Sequence, residues 1–120
     1  MLLGEWVVEG CHINAIGAHT PDARELDDSL ILKGKVIVDS REACLKEAGD
    51  IVIPLSKGLI SQDKVYAELG EVVLGLRPGR VNDKEITIFK SVGLAVQDAA
   101  VAKLAYEKAI KAGTGFEVKL

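Results

Sequence analysis

The last third of the chain, residues 86–113, constrains the fold most, because it joins a strand, a tight turn and a long helix without interruption. β-Branched and aromatic side chains dominate residues 86–90, which predicts a strand. Ser-Val-Gly at residues 91–93 predicts a tight turn. Apolar residues at helical spacing then predict a helix over residues 94–112, which ends at Gly113.

The predicted helix has a face of small side chains, which would let a neighbouring backbone approach closely. We therefore expect this helix to lie flat on the rest of the domain, and a helix standing clear of any sheet would contradict our interpretation. Asp98 falls on the same face, so we expect it to be partly buried, although the helix dipole also explains an acid in the first turns. The small face consists of Ala95, Ala102, Ala105 and Ala109.

Shorter strand and helix patterns alternate through the preceding residues. This alternation predicts a single α/β domain over residues 1–120, with a mainly parallel sheet, flanking helices and a long C-terminal helix. Predicted strands cover residues 12–16 and 35–39. Predicted helices cover residues 41–48 and 61–69, and the first of these is capped by Ser40 and stopped by Gly49. Less definite patterns are a helical turn at 5–9, a helix start capped by Thr20 or Asp22, a strand or loop at 50–54, an ambiguous segment at 71–76 and a strand at 115–120.

Composition and charge exclude several classes of function. The net charge is −3 and the chain has no basic stripe, which argues against a nucleic-acid partner. No stretch approaches the roughly 20 apolar residues of a membrane span, so we expect no membrane association. Cys11 and Cys44 have no partner at a metal-type or disulfide spacing, which predicts free thiols in a cytoplasmic protein.

The first candidate for chemistry is the segment after the predicted strand at residues 12–16. His19 follows the end of that strand, where ligands bind in open α/β sheets, and a neutral imidazole could move a proton there near neutral pH. The alternative is that His19 only hydrogen-bonds within a turn. A metal site built from Cys11, His12 and His19 is disfavoured, because Cys11 and His12 point to opposite faces of a regular strand and no fourth ligand is evident.

The second candidate is the turn at residues 91–93. A strand that ends in Ser-x-Gly before a helix offers backbone N–H groups to an anion or a cofactor, although Ser91 could equally act only as a helix cap. The chain contains no G-x-G-x-x-G run, so it carries no recognisable phosphate-binding turn of its own.

Several motifs together resemble the ornithine cyclodeaminase/mu-crystallin family, which includes NAD-dependent alanine dehydrogenases, imine reductases and ornithine cyclodeaminases. The resemblance runs in order from about Gly4 to the end of the chain. The motifs are GCHINAIG at residues 10–17, Pro21, RELD at 24–27, VDSR at 38–41, TIFKSVG at 87–93 and Gln97-Asp98.

The resemblance implies that this chain corresponds to the C-terminal half of an NAD(P)-binding Rossmann-like domain, without the substrate domain or the glycine-rich turn. Asn14, Gly17, Ser91 and Val92 would then lie near the cofactor. His19 stands where the cyclodeaminases carry a catalytic acid, which argues against ornithine cyclodeamination and favours dehydrogenase or reductase chemistry. NAD or NADP would bind to the assembled enzyme and not tightly to this chain alone.

Two hypotheses for function follow from the residues and the resemblance. In the first, the chain is the C-terminal part of an NAD(P)-dependent amino-acid dehydrogenase, imine reductase or cyclodeaminase, which acts on a small amino acid or imine with His19 as the proton carrier. It would be inactive without a complementary N-terminal polypeptide. In the alternative, it is a non-catalytic remnant that forms a homo-oligomer or binds a partner. A third hypothesis, a redox or metal protein that uses Cys11 and Cys44, is disfavoured. We assign no role to Asp39.

Overall fold

The computed structural model describes residues 1–116 and Val118, and it forms an α/β fold around one parallel sheet. Among the described residues, the sheet has four strands in the order β1–β4–β2–β3. The strands are β1 (His12–Ala15), β2 (Lys35–Val38), β3 (Val65–Glu68) and β4 (Thr87–Lys90). The helices are α1 (Asp28–Lys33), α2 (Arg41–Glu47), α3 (Gly49–Ser56), α4 (Leu69–Val73) and α5 (Ala95–Ala112), with short 3₁₀ turns at Gly4–Trp6 and Gln62–Lys64.

The predicted fold class is confirmed: the sheet is parallel, helices flank it and a long helix follows the last strand. Because side chains alternate along a strand, the sheet has two distinct faces. One face joins helices α1, α2 and α3 in a single buried cluster. That cluster contains Ala15, Leu26, Leu30, Ile31, Val36, Val38, Cys44, Ala48, Ile51, Val65 and Ile88.

The opposite face of the sheet is only partly covered. His12 and Asn14 on β1 are exposed there, and Phe89 on β4 is half-buried. Near the amino ends of the strands, Arg80 reaches over this face and donates a hydrogen bond to the Thr87 hydroxyl at 3.1 Å. We call this surface, from His12 and Asn14 to Phe89, the open face.

Helix α1 begins at Asp28, seven residues later than a cap at Thr20 would place it, so that prediction was wrong. Residues 20–23 form a turn, closed by the Ala23 N–H bonding to the Thr20 carbonyl at 3.2 Å. Asp27 caps α1 instead, because its carboxylate accepts a hydrogen bond from the Leu30 N–H at 2.8 Å. The cap predicted at Ser40 is confirmed, since its hydroxyl accepts from the Ala43 N–H.

Residues 50–54 belong to helix α3, so a strand or loop there was the wrong prediction, and Gly49 starts this helix where we expected it to stop the preceding one. A short apolar run cannot distinguish a buried strand from a buried helix segment. Here the N–H groups of Ile51 and Val52 both bond to the Ala48 carbonyl at 2.8 Å, which closes the first helical turn.

The helix predicted over residues 61–69 was also wrong, because that segment holds a 3₁₀ turn followed by strand β3. Val65 and Ala67 are buried and Tyr66 is half-buried, which is the two-residue alternation of a strand. Pairing with β2 decides the conformation, since Val65 aligns with Val36 in the sheet. The ambiguous segment at 71–76 begins within helix α4.

Helix α5 begins one residue later than predicted and ends where predicted, and Gly113 ends it in the left-handed conformation with a φ of 63°. The expectation that it lies flat on the domain was wrong, because none of its residues, all of which the structure describes, is buried. Asp98 is exposed, not partly buried. We expected that a helix α5 away from the sheet would contradict the predicted fold. That expectation was wrong, because the sheet forms without α5.

The strand predicted at 115–120 falls partly on Glu117, Lys119 and Leu120, which lie outside the described residues. Phe116 and Val118 are described and are not in a strand. Each helix within the described part of the chain is too short or too polar to cross a lipid bilayer.

Candidate functional site

The carboxyl ends of three adjacent strands, β1, β4 and β2, meet at one edge of the sheet. The hydrogen-bond ladder continues just past the strand ends, because the Ser91 N–H bonds to the Ala15 carbonyl and the Asp39 N–H bonds to the Lys90 carbonyl. Parallel strands place their following loops side by side at this edge. The two sequence candidates, the loop after β1 and residues 91–93 after β4, are therefore neighbours.

Residues 91–93 are held by the carboxylate of Asp39, at the end of the neighbouring strand β2. Asp39 Oδ2 accepts a hydrogen bond from the Ser91 hydroxyl at 2.6 Å and from the backbone N–H groups of Val92 and Gly93 at 3.1 and 3.0 Å. Gly93 has a φ of 88°, a conformation that favours glycine. These N–H groups, which we expected to face an anion or a cofactor, are instead bonded within the chain.

The other oxygen of Asp39 is also bonded. Oδ1 accepts from the Ser40 N–H at 2.8 Å and from the Cys44 thiol at 3.3 Å. Burial acts to raise the pKa of this carboxyl, but the hydrogen bonds from Ser91, Cys44 and the backbone outweigh it and hold the pKa below its ordinary value. Asp39 is thus a charged carboxylate at neutral pH, with donors on both oxygens.

Replacing Asp39 with alanine is expected to lower the free energy of unfolding by about 2 kcal/mol at neutral pH, because partly buried donors on Ser91 and Val92 lose their acceptor. The lowered pKa of Asp39 determines how this stabilisation changes with pH. The stabilisation is complete above the unfolded pKa of about 3.9 and disappears as pH falls through the folded pKa.

Urea denaturation from pH 7 to pH 3 measures this difference. The matched control is Asp98→Ala, which removes an exposed acid from the first turn of α5. A stability difference between wild type and Asp39→Ala that grows as the pH falls would contradict the assigned role.

The loop after β1 carries the other predicted residues, Gly17 and His19. The Gly17 N–H donates a hydrogen bond to Glu25 Oε1 at 2.8 Å, and a Cβ at Gly17 would lie 2.8 Å from Glu25 Oε2. His19 is exposed, and its Nδ1 lies 3.3 Å from the Gly17 carbonyl. The hydrogen bond within a turn is therefore present, and the exposed ring remains accessible for proton transfer.

Asn14 lies apart from that edge. Its side chain is exposed on the open face, where its Oδ1 lies 3.3 Å from His12 Nε2. His12 Nδ1 in turn lies 2.8 Å from the Thr87 hydroxyl. The structure thus brings Gly17, Ser91 and Val92 to one edge and places Asn14 one residue before the end of β1.

Sequence reasoning missed the most buried polar group of the edge, Lys90. Its side chain is fully buried, and three oxygens lie close to its Nζ: the Ala18 carbonyl at 2.6 Å, Asp50 Oδ2 at 2.8 Å and Glu25 Oε1 at 3.2 Å. We call Lys90, Glu25 and Asp50 the lysine cluster. The available signal was a lysine at the end of a strand with the apolar pair Ile88 and Phe89, where an unpaired charge would be costly.

The Cys44 thiol is buried and is not activated for reaction. Burial, followed by the hydrogen bond to Asp39, raises the pKa of the Cys44 thiol to about 12, so the thiol stays protonated at neutral pH. Both Cys11 and Cys44 are free. Over the described residues, no group of three or more His, Cys, Asp or Glu side chains is placed to hold a metal ion.

Comparison with known protein families identifies the family of this chain. The model of the ornithine cyclodeaminase/mu-crystallin family matches residues 1–113. The chain belongs to this family. Among curated members, alanine dehydrogenase from Archaeoglobus fulgidus is 50% identical over 115 residues, which are 96% of this chain and 35% of the relative.

Solved structures of family members match the whole fold. Thermococcus litoralis Δ1-pyrroline-2-carboxylate reductase, in complex with NADH and L-proline, has a TM-score of 0.89 and 52% identity, over 98% of this chain and 36% of its own. An archaeal alanine dehydrogenase dimer with bound NAD has a TM-score of 0.85 and 47% identity, over 100% of this chain and 37% of its own. The chain spans about a third of the length of the family members it matches.

Proposed function

We propose that this chain forms the nicotinamide-facing part of an NAD(P)-dependent enzyme of the family, an amino-acid dehydrogenase or imine reductase acting on a small amino acid or imine. The observation that carries the proposal is that the loop after β1 and residues 91–93 lie side by side at the carboxyl edge of the sheet. The similar structures with bound NADH and NAD support it.

The residues at the edge fit one end of a dinucleotide. Gly17 keeps the loop after β1 close to Glu25, and Val92 packs its side chain against the buried cluster. The Ser91 hydroxyl donates to Asp39 and accepts from the Gly93 N–H at 3.1 Å, so Ser91 shapes the turn. The sequence holds no glycine-rich cradle for the pyrophosphate, so the other end of the cofactor requires further residues.

In the assembled enzyme, a bound nicotinamide would supply or accept a hydride. Within this chain, His19 is the group that can carry the accompanying proton, since its ring is exposed at the edge and an imidazole can act as a general acid or base. Asp39 keeps residues 91–93 in one conformation before any ligand arrives, which lowers the ordering cost of binding.

A complementary N-terminal polypeptide is the partner we propose. Helix α5 exposes Val101, Leu104 and Ile110, and the open face exposes part of Phe89. Apolar side chains on an otherwise uncovered helix and sheet face would lose contact with water if a second chain packed against them. We infer that the chain alone lacks catalysis and tight cofactor binding, because it carries a proton carrier without a phosphate cradle.

The proposal is tested by NADH fluorescence titration and by NADH oxidation with pyruvate and ammonia. The chain is assayed alone and mixed with a second polypeptide that carries the part of the A. fulgidus enzyme this chain does not match. We expect saturable NADH binding and turnover only in the mixture. In that mixture, His19→Gln should lower kcat about 100-fold and leave NADH affinity unchanged. Turnover by the chain alone, or none in the mixture, would contradict the proposal.

The alternative is a stand-alone remnant that associates with itself. The edge strands β1 and β3 and the exposed helix α5 favour it, because uncovered edges and apolar faces promote pairing. Sedimentation velocity over a range of concentrations distinguishes the two. Self-association without NADH binding in any mixture would support the alternative, and a monomer at high concentration would count against it.

A further inference from the structure

Lys90 occupies an unusual place for a charged side chain. It is the last residue of β4, a strand with neighbours on both sides, and it aligns with Ala15 on β1 and Val38 on β2, which are both buried. A buried ammonium group is stable only when its charge and its three N–H donors are compensated. The carboxylates of Asp50 and Glu25 compensate the charge, and the Ala18 carbonyl and Glu25 Oε1 accept hydrogen bonds from Nζ.

The two carboxylates of the lysine cluster also accept hydrogen bonds from the backbone of the loop after β1. Glu25 Oε1 accepts from the Gly17 and Ala18 N–H groups at 2.8 and 3.4 Å. Asp50 Oδ1 accepts from the Glu25 and Leu26 N–H groups at 2.9 and 2.8 Å. The loop is therefore fixed at both of its ends by carboxylates that share Lys90.

Lys90 and Ser91 are consecutive, and each fixes a different side of the edge. Lys90 binds the loop that carries His19, whereas Ser91 donates to Asp39 and fixes residues 91–93. The position of the two loops relative to each other therefore depends on two consecutive residues, the last residue of β4 and the residue that follows it.

We propose that Lys90 is a positioning residue, which holds the loop carrying Gly17 and His19 in its ligand-ready shape through Glu25 and Asp50. This inference rests on the proposed function for its ligand, a nicotinamide dinucleotide. The positioning itself is a property of the chain alone. A residue that merely stabilised the fold would affect all amides equally, whereas a positioning residue affects the loop.

Amide hydrogen exchange of the ¹⁵N-labelled full chain tests the proposal. The double variant Lys90→Met/Asp50→Asn removes the charge pair without leaving either charge alone. We expect the Gly17 and Ala18 amides to exchange about ten-fold faster or more, because their acceptor loses its anchor. The Gly93 amide, which bonds to Asp39, should be unchanged.

The matched control is Lys35→Met/Glu85→Gln, which removes a partly buried strand lysine and the acid 2.7 Å from it, away from this loop. It should leave Gly17 and Ala18 unchanged. Glu25→Gln, at a side chain 35% exposed, gives a second test that does not depend on a core substitution, and it should also accelerate both amides. Unchanged Gly17 and Ala18 amides in Glu25→Gln and in a folded double variant, or equal acceleration of every amide, would overturn the proposal.

Titration of the reconstituted mixture with NADH separates this inference from the proposed function. The Lys90→Met/Asp50→Asn chain should bind NADH at least about ten-fold more weakly than wild type, and the control should not. If the wild-type mixture binds no NADH, the proposed function fails, and amide exchange still decides whether Lys90 positions the loop. Wild-type affinity in the double variant would overturn the inference alone.

Discussion

Replacing Lys90 alone with methionine is expected to lower the free energy of unfolding by about 3–5 kcal/mol, because it leaves the Asp50 carboxylate buried and unpaired. The side chains of Lys90 and Asp50 are both fully buried, so water cannot replace the lost partner. A domain of this size has a total stability of about 5–15 kcal/mol, so the variant would be near the limit of folding.

Urea denaturation followed by circular dichroism measures this effect. Adding Asp50→Asn to Lys90→Met should restore most of the lost stability, because the second change removes the unpaired charge and the amide oxygen of the new side chain can still accept from the Leu26 N–H. If the double variant is as unstable as Lys90→Met alone, the loss comes from packing and the electrostatic explanation is wrong.

Replacing Gly49 with alanine is expected to cost about 3 kcal/mol, because the new methyl group has no space. A Cβ at Gly49 would lie 2.1 Å from the Ala23 carbonyl oxygen and 2.9 Å from the Thr20 carbonyl oxygen. Both contacts are with backbone, which cannot rotate away as a side chain can. The Gly49 N–H also bonds to the Thr20 carbonyl at 3.1 Å, so a shift of α3 would break this contact.

Gly70→Ala is the matched control for Gly49→Ala. Gly70 lies in helix α4, and a Cβ there would meet nothing within 4 Å. The same substitution should therefore raise stability by about 0.5–1 kcal/mol, as alanine does in a helix. Thermal denaturation of both variants checks the pair. A Gly49→Ala protein as stable as wild type would show that α3 can move away from the turn at residues 20–23.

Elements with a strong local signal were predictable from the sequence. The segment that forms β4 and α5 was recognised because β-branched residues, a turn glycine and a long helical period follow one another. Ser40 and Gly113 mark helix ends by chemistry that depends only on the nearby backbone. In each case the residues that decide the structure lie within a few positions of each other.

Segments with a short apolar run were not predictable. Residues 50–54 read equally as a strand or as the start of a loop, and they became helix α3 because Ala48, Gly49 and the turn at residues 20–23 fix their start. Residues 65–68 became a strand only because β2 was available for pairing. For α5 the small face was interpreted as a packing surface, but the described part of the chain does not cover it.

The sequence by itself determined the family motifs, the parallel α/β architecture and the two loops that form the edge. Tertiary structure decided what holds those loops. Asp39 bonds to Ser91 across 52 positions, and Lys90 pairs with Glu25 across 65. The spacing of charged residues along the sequence does not show which of them will pair. Such a pair forms only where the fold excludes water and brings the two opposite charges close together.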